Sequence, residues 1–170
     1  MISIKRFKKI SSTNEKAKGF KPWTVLVAEE QDSGYGRKGS QWFSPKGGLY
    51  FSLVLPKSDI HDLQTLTVLT GFAVAKTIKD NFKLEPLIKL PNDVLINGKK
   101  VCGILTENII GKEVKFSVIG IGLNTNTSSF PPDLRESATS LKLELKKEVN
   151  NEKIMKEIVS QLENQLKTII

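Results

Sequence analysis

Near the start of the chain, apolar and polar positions alternate with the period of two that belongs to strands. Ile2 and Ile4 set against Ser3 and Lys5 predict a short edge strand over residues 2–7. Residues 23–30 and 48–56 are both rich in apolar and β-branched or aromatic side chains, so each predicts a buried strand. Over residues 61–82 the period lengthens. Apolar side chains at 63, 66, 69, 73 and 78, with no internal proline, predict an amphipathic helix whose apolar face is core, weakened slightly by Gly71. His61 at its start reads as a solvated or capping residue. Residues 87–90 form a short strand pattern stopped by Pro91-Asn92-Asp93, and residues 94–96 continue extended. Asn97-Gly98 is the signal of a type I′ hairpin turn, which sends residues 99–107 back as the partner strand. A second turn near Ile110-Gly111-Lys112 leads into an alternating strand over residues 113–121. After a proline-punctuated loop from Phe130 to Ser140, residues 151–170 carry apolar positions at 154, 155, 158, 159, 162, 166 and 169, a second amphipathic helix. A third, short helix is predicted to start at Ser12, with Glu15 completing a capping box. Hairpins plus three helices make an α+β chain, read as one domain over residues 1–170.

Residues 31–45 fit neither period. Gly34, Gly36 and Gly39 leave a nearly bare backbone, which lets N–H groups approach a ligand closely. Arg37 and Lys38 lie inside it, so the ligand it suits is an anion, and Trp42-Phe43 can wall a ring-binding slot. A solvated glycine–lysine loop is the plain alternative. Loops longer than about 12–15 residues are uncommon unless functional or disordered, and this one lies between two strong strand patterns, which suggest a sheet edge with the loop draped across its face. Gly34-x-Gly36-x-x-Gly39 is not a dinucleotide fingerprint, because a strand rather than a helix follows it. Further on, Gly120 and Gly122 fall on one face of a predicted strand and leave that face open for a flat ligand.

Composition narrows the classes. At 170 residues the chain suits one domain and can bury about 70% of its unfolded surface. No apolar run approaches the roughly 20 residues of a membrane span, and Lys5, Arg6, Lys8 and Lys9 are not followed by a signal core. A single cysteine, Cys102, fits a reducing cytoplasm, and one histidine with one cysteine leaves no ligand set for a zinc site. The net charge of +8 comes mostly from scattered lysines without interleaved aromatics. It favours anionic substrates and acidic partners over nucleic acid.

Four blocks can now be set together: Gly34-x-Gly36-Arg37-x-Gly39-x-x-Trp42-x-Ser44-Pro45, Lys89-x-Pro91-Asn92-Asp93, Lys99-Lys100-x-x-Gly103-Ile104-Leu105-x-Glu107, and Gly120-x-Gly122-x-Asn124-x-Asn126. In this order and spacing they resemble the catalytic domain of biotin protein ligases, as do Ser12-Thr13-Asn14 and Ala138-Thr139-Ser140-Leu141. The resemblance implies a mixed, mainly antiparallel sheet with helices packed on it, of the class II aminoacyl-tRNA synthetase-like type. It also implies a two-step reaction. The carboxylate of biotin attacks the α-phosphate of Mg2+-ATP, giving biotinyl-5′-AMP and pyrophosphate. A lysine on the biotin carboxyl carrier domain of a carboxylase then takes the acyl group. Two anions must meet in the first step, and each charged hydrogen bond offsets that repulsion by about 1.5–3 kcal/mol.

Carried over by position, the resemblance makes Arg37 and Lys100 the catalytic pair that grips the carboxylate and α-phosphate. It assigns biotin to Ser12, Thr13, Gln31, Gly34, Tyr35, Lys100, Gly103, Gly120 and Gly122, with Thr13 and Gln31 on the ureido ring. It assigns ATP to Arg37, Trp42, Lys89, Asn92, Asp93 and Asn124, with Trp42 against adenine, Mg2+ arriving with the nucleotide and no metal site of the protein's own. The family loop usually carries arginine where this chain has Tyr35 and Ser40, and tryptophan where it has Leu90. Loss of those cations implies weaker retention of the adenylate. Neither the DNA-binding helix-turn-helix nor the small C-terminal barrel of the family is found, so neither DNA nor operon repression is expected. A homodimer through an edge strand, residues 2–7 or 113–121, is a further expectation. Three alternatives stay open. One is a lipoate or octanoate ligase of the same fold, and another is a non-catalytic biotin-binding relative. The third is a Cys102 nucleophile, for which no histidine is at hand as base.

Overall fold

In the computed structural model, which describes residues 2–56, 62–112 and 114–169, seven strands form one mixed sheet. They are β1 (Ser3–Ile10), β2 (Thr24–Gln31), β3 (Leu49–Pro56), β4 (Leu87–Lys89), β5 (Asp93–Ile96), β6 (Lys99–Ile110) and β7 (Val114–Leu123). Their spatial order is β1-β2-β3-β7-β6-β5-β4. Every neighbouring pair is antiparallel except β1 with β2, which run parallel. That exception follows from α1 (Thr13–Ala17), which lies between the two strands in sequence and crosses over the sheet face.

The alternation of side chains separates the two faces. Leu49, Phe51, Leu53 and Leu55 of β3, with Ile119, Ile121 and Leu123 of β7, join the main core. This core is closed by α2 (Leu63–Phe82) and α4 (Asn151–Ile169), which also pack on each other. The opposite face holds Ala17, Leu26, Val54 and Val118 in a smaller cluster under α1. The main core anchors the sheet, and the second face is left for chemistry.

α4 buries Ile154, Met155, Ile158, Val159, Leu162 and Leu166, the stripe expected from its spacing. α2 differs in detail: its buried face includes Thr67, Thr70 and Thr77 beside Leu66, Ala73, Val74 and Ile78. The hydroxyls of Thr67 and Thr70 donate to the carbonyls of Leu63 (2.6 Å) and Leu66 (2.7 Å), so these polar side chains enter the core satisfied by their own helix. The helix begins after Asp62, whose carboxylate accepts the N–H groups of Gln64 and Thr65. His61, Glu113 and Ile170, named above at element ends, lie outside the described residues. A fourth helix, α3 (Leu141–Leu145), was not expected and is capped by the Ser140 hydroxyl. Asn97 (φ 50°) and Gly98 (φ 78°) both take left-handed conformations, as a type I′ turn requires.

Three expectations need correction. The strand read over residues 113–121 is not an edge: β7 is flanked by β3 on one side and β6 on the other, so it has no free backbone for a dimer. The strands joined by the glycine loop are not a sheet edge either, because β2 and β3 pair with each other inside the sheet, although the loop does lie across the sheet face. At α1 only half of the capping box forms. Ser12 Oγ accepts the Glu15 N–H at 3.4 Å, while the Glu15 carboxylate turns outward to Lys18 and Tyr35. Among the described residues no helix is long and apolar enough to cross a membrane.

Ile158 is fully buried at the α4–sheet contact, so Ile158→Ala should cost about 2–5 kcal/mol. The exposed neighbour Lys156→Ala should stay within about 0.5 kcal/mol. Urea denaturation of the two variants checks this, and equal midpoints would contradict the packing.

Candidate active site

The second face of the sheet is organised by two cross-strand rows. In one, Ser52 of β3, Gly120 of β7 and Leu105 of β6 stand side by side; in the next, Tyr50, Gly122 and Gly103 do. Bare backbone at the middle of each row lets other elements sink onto the sheet. A Cβ on Gly120 would lie 2.1 Å from Asn14 Oδ1, and one on Gly122 would lie 2.3 Å from Trp42 Nε1. The face expected to be open is therefore covered, by the Asn14 amide over Gly120 and by the Trp42 indole over Gly122 and Gly103. Around these rows lies a cavity of about 400 Å³.

Most of the expected site residues line this cavity: Ser12, Thr13, Gln31, Tyr35, Arg37, Trp42, Asn92, Asp93, Lys100, Gly103, Gly120 and Gly122. Three do not. Gly34 is buried within the loop, where a Cβ would strike Ser44 Oγ, Gln31 Nε2 and the Trp42 carbonyl at 2.5–2.9 Å. Lys89 is exposed on β4 away from the cavity. Asn124 is buried and donates from Nδ2 to the Thr139 carbonyl at 3.0 Å, tying β7 to the segment before α3.

That same segment fixes the backbone of Lys100. The Lys100 N–H donates to the Ser137 carbonyl (2.8 Å), and its carbonyl accepts the Thr139 N–H (2.9 Å). Its Nζ lies 2.8 Å from Asp93 Oδ1 and 5.1 Å from the centroid of the Trp42 ring, an ion pair combined with a cation–π contact. Arg37 lies in the single 3-10 turn Arg37–Gly39 and reaches Asn92 Oδ1 from Nη1 at 3.5 Å. Arg37 is exposed, and among the described residues its guanidinium makes this one long hydrogen bond, so it can turn to meet an anion. The Trp42 indole N–H is buried and has no acceptor among the described residues.

At the other set of lining residues the polar groups are tightly partnered. Gln31 Oε1 accepts the Thr13 N–H at 2.7 Å, and its Nε2 donates to Ser44 Oγ at 2.9 Å. Asn14 Nδ2 donates to Glu107 Oε2 (2.8 Å) and to the Leu105 carbonyl (3.3 Å), while its Oδ1 lies 2.6 Å from Ser52 Oγ. Thr13 Oγ1 lies 2.8 Å from the same Ser52 hydroxyl. Tyr35 binds across this cluster, its hydroxyl 2.6 Å from Glu15 Oε1 and 3.0 Å from Glu107 Oε2. Burial, helped by those two carboxylates, pushes the Tyr35 phenol far above its ordinary value, so it stays a neutral donor. Lys18, and then Tyr35, hold the Glu15 carboxyl below the usual carboxylate range. Tyr35 thus straps the glycine loop to α1 and β6.

Asn14, Ser52 and Glu107 were not singled out for roles from sequence. A signal existed: Ser52 is the one small polar side chain in a strand of otherwise apolar and aromatic residues, the kind of position that requires a partner. Cys102 is buried in the main core, and burial raises its thiol far above the ordinary range. A nucleophilic role has no support there. Among the described residues no three His, Cys, Asp or Glu side chains cluster as a metal site, and Asp93 is the only carboxylate lining the cavity.

Comparison with known proteins gives a consistent picture. The sequence model of the biotin/lipoate A/B protein ligase family matches residues 5–124. The bifunctional ligase/repressor BirA of Bacillus subtilis is 42% identical over 123 residues, covering 69% of this chain and 38% of that protein. A biotin–[acetyl-CoA-carboxylase] ligase of Paracoccus denitrificans is 37% identical over 103 residues, covering 58% of this chain and 43% of its own. The chain therefore spans well under half the length of these relatives. Among solved structures, biotin protein ligase from Aquifex aeolicus in complex with biotin and ATP superposes with a TM-score of 0.90 at 30% identity, covering 98% of this chain and 71% of that one.

Two outcomes follow from the geometry. A methyl at Gly122 cannot coexist with the indole, so Gly122→Ala in a Trp23→Phe background should shift tryptophan emission to the red; unchanged emission would place Trp42 elsewhere. Cys102 should resist a thiol reagent at pH 8 in the native protein and react fully once unfolded in urea.

Proposed function

The chain belongs to the biotin/lipoate A/B protein ligase family, and on that premise we propose that it is an ATP-dependent biotin–protein ligase. It activates biotin as biotinyl-5′-AMP and passes the acyl group to a lysine of a biotin carboxyl carrier domain. The observation that carries this reading is a single cavity lined both by cations, Arg37, Lys38 and Lys100, and by the polar pair Thr13 and Gln31. Such cations suit a step in which a carboxylate oxygen attacks an α-phosphate. The new O–P bond forms as the α–β phosphoanhydride breaks and pyrophosphate leaves. Lys100 is held by Asp93 until an anion arrives, and the incoming carboxylate and phosphate then share its charge with that of Arg37. In the second step the carrier lysine amine attacks the acyl carbon and AMP departs with the phosphate oxygen.

Trp42, partly buried and stacked under the Lys100 ammonium, offers its ring to the adenine. Mg2+ fits the donor set only as a companion of the nucleotide. Asp93 and the Asn92 amide oxygen would hold it beside the phosphates, whose charge it neutralises, since the ion is commonly bound by one or two carboxylates plus phosphates. The free thiol of Cys102 suits a cytoplasmic setting. The exposed edge β1, with Lys5, Arg6, Lys8 and Lys9, suits an acidic carrier better than a second copy of itself.

A fatty-acid substrate fits less well, because Thr13 and Gln31 would face hydrocarbon with hydrogen-bonding capacity unused. The reading of a non-catalytic relative rests on Tyr35 and Ser40, which take the places of two loop arginines. The Ser40 hydroxyl donates to the Arg37 carbonyl at 3.1 Å, so it supports the turn rather than supplying charge.

Labelled pyrophosphate exchange into ATP, with biotin, lipoate, octanoate or no acid, tests the proposal. Exchange is expected with biotin alone, and Arg37→Ala or Lys100→Ala should each slow it by about 10²–10³-fold with little change in unfolding midpoint. Exchange only with lipoate or octanoate would move the substrate. Biotin binding without exchange would make the protein a non-catalytic relative.

A further inference from the structure

The hydrogen bonds behind Thr13 have a direction, and that direction reaches the ligand. Asn14 Nδ2 meets two groups that can only accept, the Leu105 carbonyl and the Glu107 carboxylate. The amide orientation is therefore fixed, and Asn14 Oδ1 is the atom presented to Ser52 at 2.6 Å. An amide oxygen only accepts, so the single proton of the Ser52 hydroxyl is committed to it. Ser52 is wholly buried and lies 2.8 Å from Thr13 Oγ1. With the Ser52 proton already used, the bond between the two hydroxyls must be donated by Thr13. Thr13 lines the cavity, and its oxygen has only lone pairs left to offer there.

Gln31 carries the opposite polarity. Its Oε1 takes the Thr13 N–H, and one Nε2 proton goes to Ser44 Oγ. The proton of Ser44 in turn goes to the Trp42 carbonyl at 3.0 Å. The second Nε2 proton of Gln31 remains to be donated. The site thus presents an acceptor at Thr13 and a donor at Gln31.

The geometry points to Glu107, Asn14 and Ser52 as positioning residues of a proton-ordered relay that makes Thr13 an obligate acceptor, so that the site selects a cyclic ligand carrying N–H beside C=O. This inference rests on the biotin-ligase reading and deepens it. The ureido ring is chosen by the polarity of its N–H, and that choice is made behind Thr13, through Ser52 and Asn14 to Glu107. Glu107 does not line the cavity, and its carboxylate acts through the Asn14 amide.

The test uses the full chain and three ligands: biotin and the two carbamate analogues in which one or the other ureido N–H is replaced by oxygen. Binding of each is measured by calorimetry without nucleotide. In the wild-type protein the analogue lacking the N–H that faces Thr13 sets acceptor against acceptor, so it should bind about tenfold or more weakly than biotin. In Ser52→Ala the Thr13 proton is released to rotate, and that ratio should fall to about threefold or less. Ser52→Cys, closer in shape and a weak acceptor, should move the ratio the same way if the alanine variant does not fold. In a Thr13→Val background Ser52→Ala should change the ratio no further, because the relay acts only through Thr13. A general loosening of the site would lower all three affinities and leave the ratio alone. An unchanged ratio in Ser52→Ala and Ser52→Cys, or equal wild-type affinity for biotin and both analogues, overturns the relay while the ligase reading stands. Absence of any biotin binding by the wild-type protein overturns the ligase reading and the relay with it.

Discussion

Bare backbone at Gly120 and Gly122 is the constraint on which the rest of the site depends. These two positions face the same side of the central strand β7, and each is the middle of a row across three strands. Because neither carries a Cβ, the Asn14 amide and the Trp42 indole can settle within about van der Waals distance of the sheet itself. Two segments far apart in sequence, α1 and the glycine loop, are thereby docked side by side. A side chain at either glycine would lift one of them off, and the cavity between them would lose a wall. The large apolar core on the other face has no such role: it makes the sheet rigid enough for those two docking points to be definite.

The charges are arranged in a resting state that is neutral locally and open to exchange. Asp93 and the Trp42 ring together hold the Lys100 ammonium, and a hydrogen-bonded backbone segment on either side of Ala138 holds its main chain. With side chains about a quarter to a third exposed, such a pair adds little to stability. Its effect is to keep a flexible four-carbon side chain in one place, which lowers the ordering cost when an anion binds. The glycine loop is treated differently. Tyr35 ties the loop to Glu15 and Glu107 through a phenol that burial keeps protonated. The loop is thereby already folded over the site, and such pre-ordering lowers the cost of binding.

The parts of this arrangement readable from sequence were those with a local cause. Period-two alternation marked the strands, Asn97-Gly98 marked its turn, and α4 carried an uninterrupted apolar stripe. The glycine loop stood out because it matched neither period. What could not be read was set by contacts between distant segments. β1 runs parallel to β2 because a five-residue helix crosses between them, and β7 is central because β3 and β6 both claim its edges. Neither fact has a signature in the alternation of either strand. Thr67 and Thr70 of α2 escaped for a related reason: a hydroxyl satisfied by its own helix reads as polar in sequence and behaves as apolar in the core. The glycines were recognised as leaving space, but the occupant of that space was misread, since the sequence cannot tell a ligand from the protein's own Asn14 and Trp42. Lys89 and Asn124 were placed at the site by family position, yet the first does not line the cavity and the second braces β7.

The two ends of the chemistry are connected through the same strand. Asn14 orders the polar residues that would read a ureido ring, and it rests on Gly120. Trp42 carries the Lys100 ammonium on its face, and it rests on Gly122. Two residues along a strand span about 6.6–6.8 Å, and that spacing is fixed by β-sheet geometry rather than by loop conformation. On the proposed function, recognition and activation would therefore be held at a constant separation by the backbone of β7, with cross-strand neighbours on both sides to prevent slippage. A ligand with a ring at one end and a carboxylate at the other would be measured against a rigid ruler. Such a ruler converts correct recognition of the ring into correct placement of the carboxylate, which is how binding far from the reacting atoms contributes to the rate of a bimolecular step.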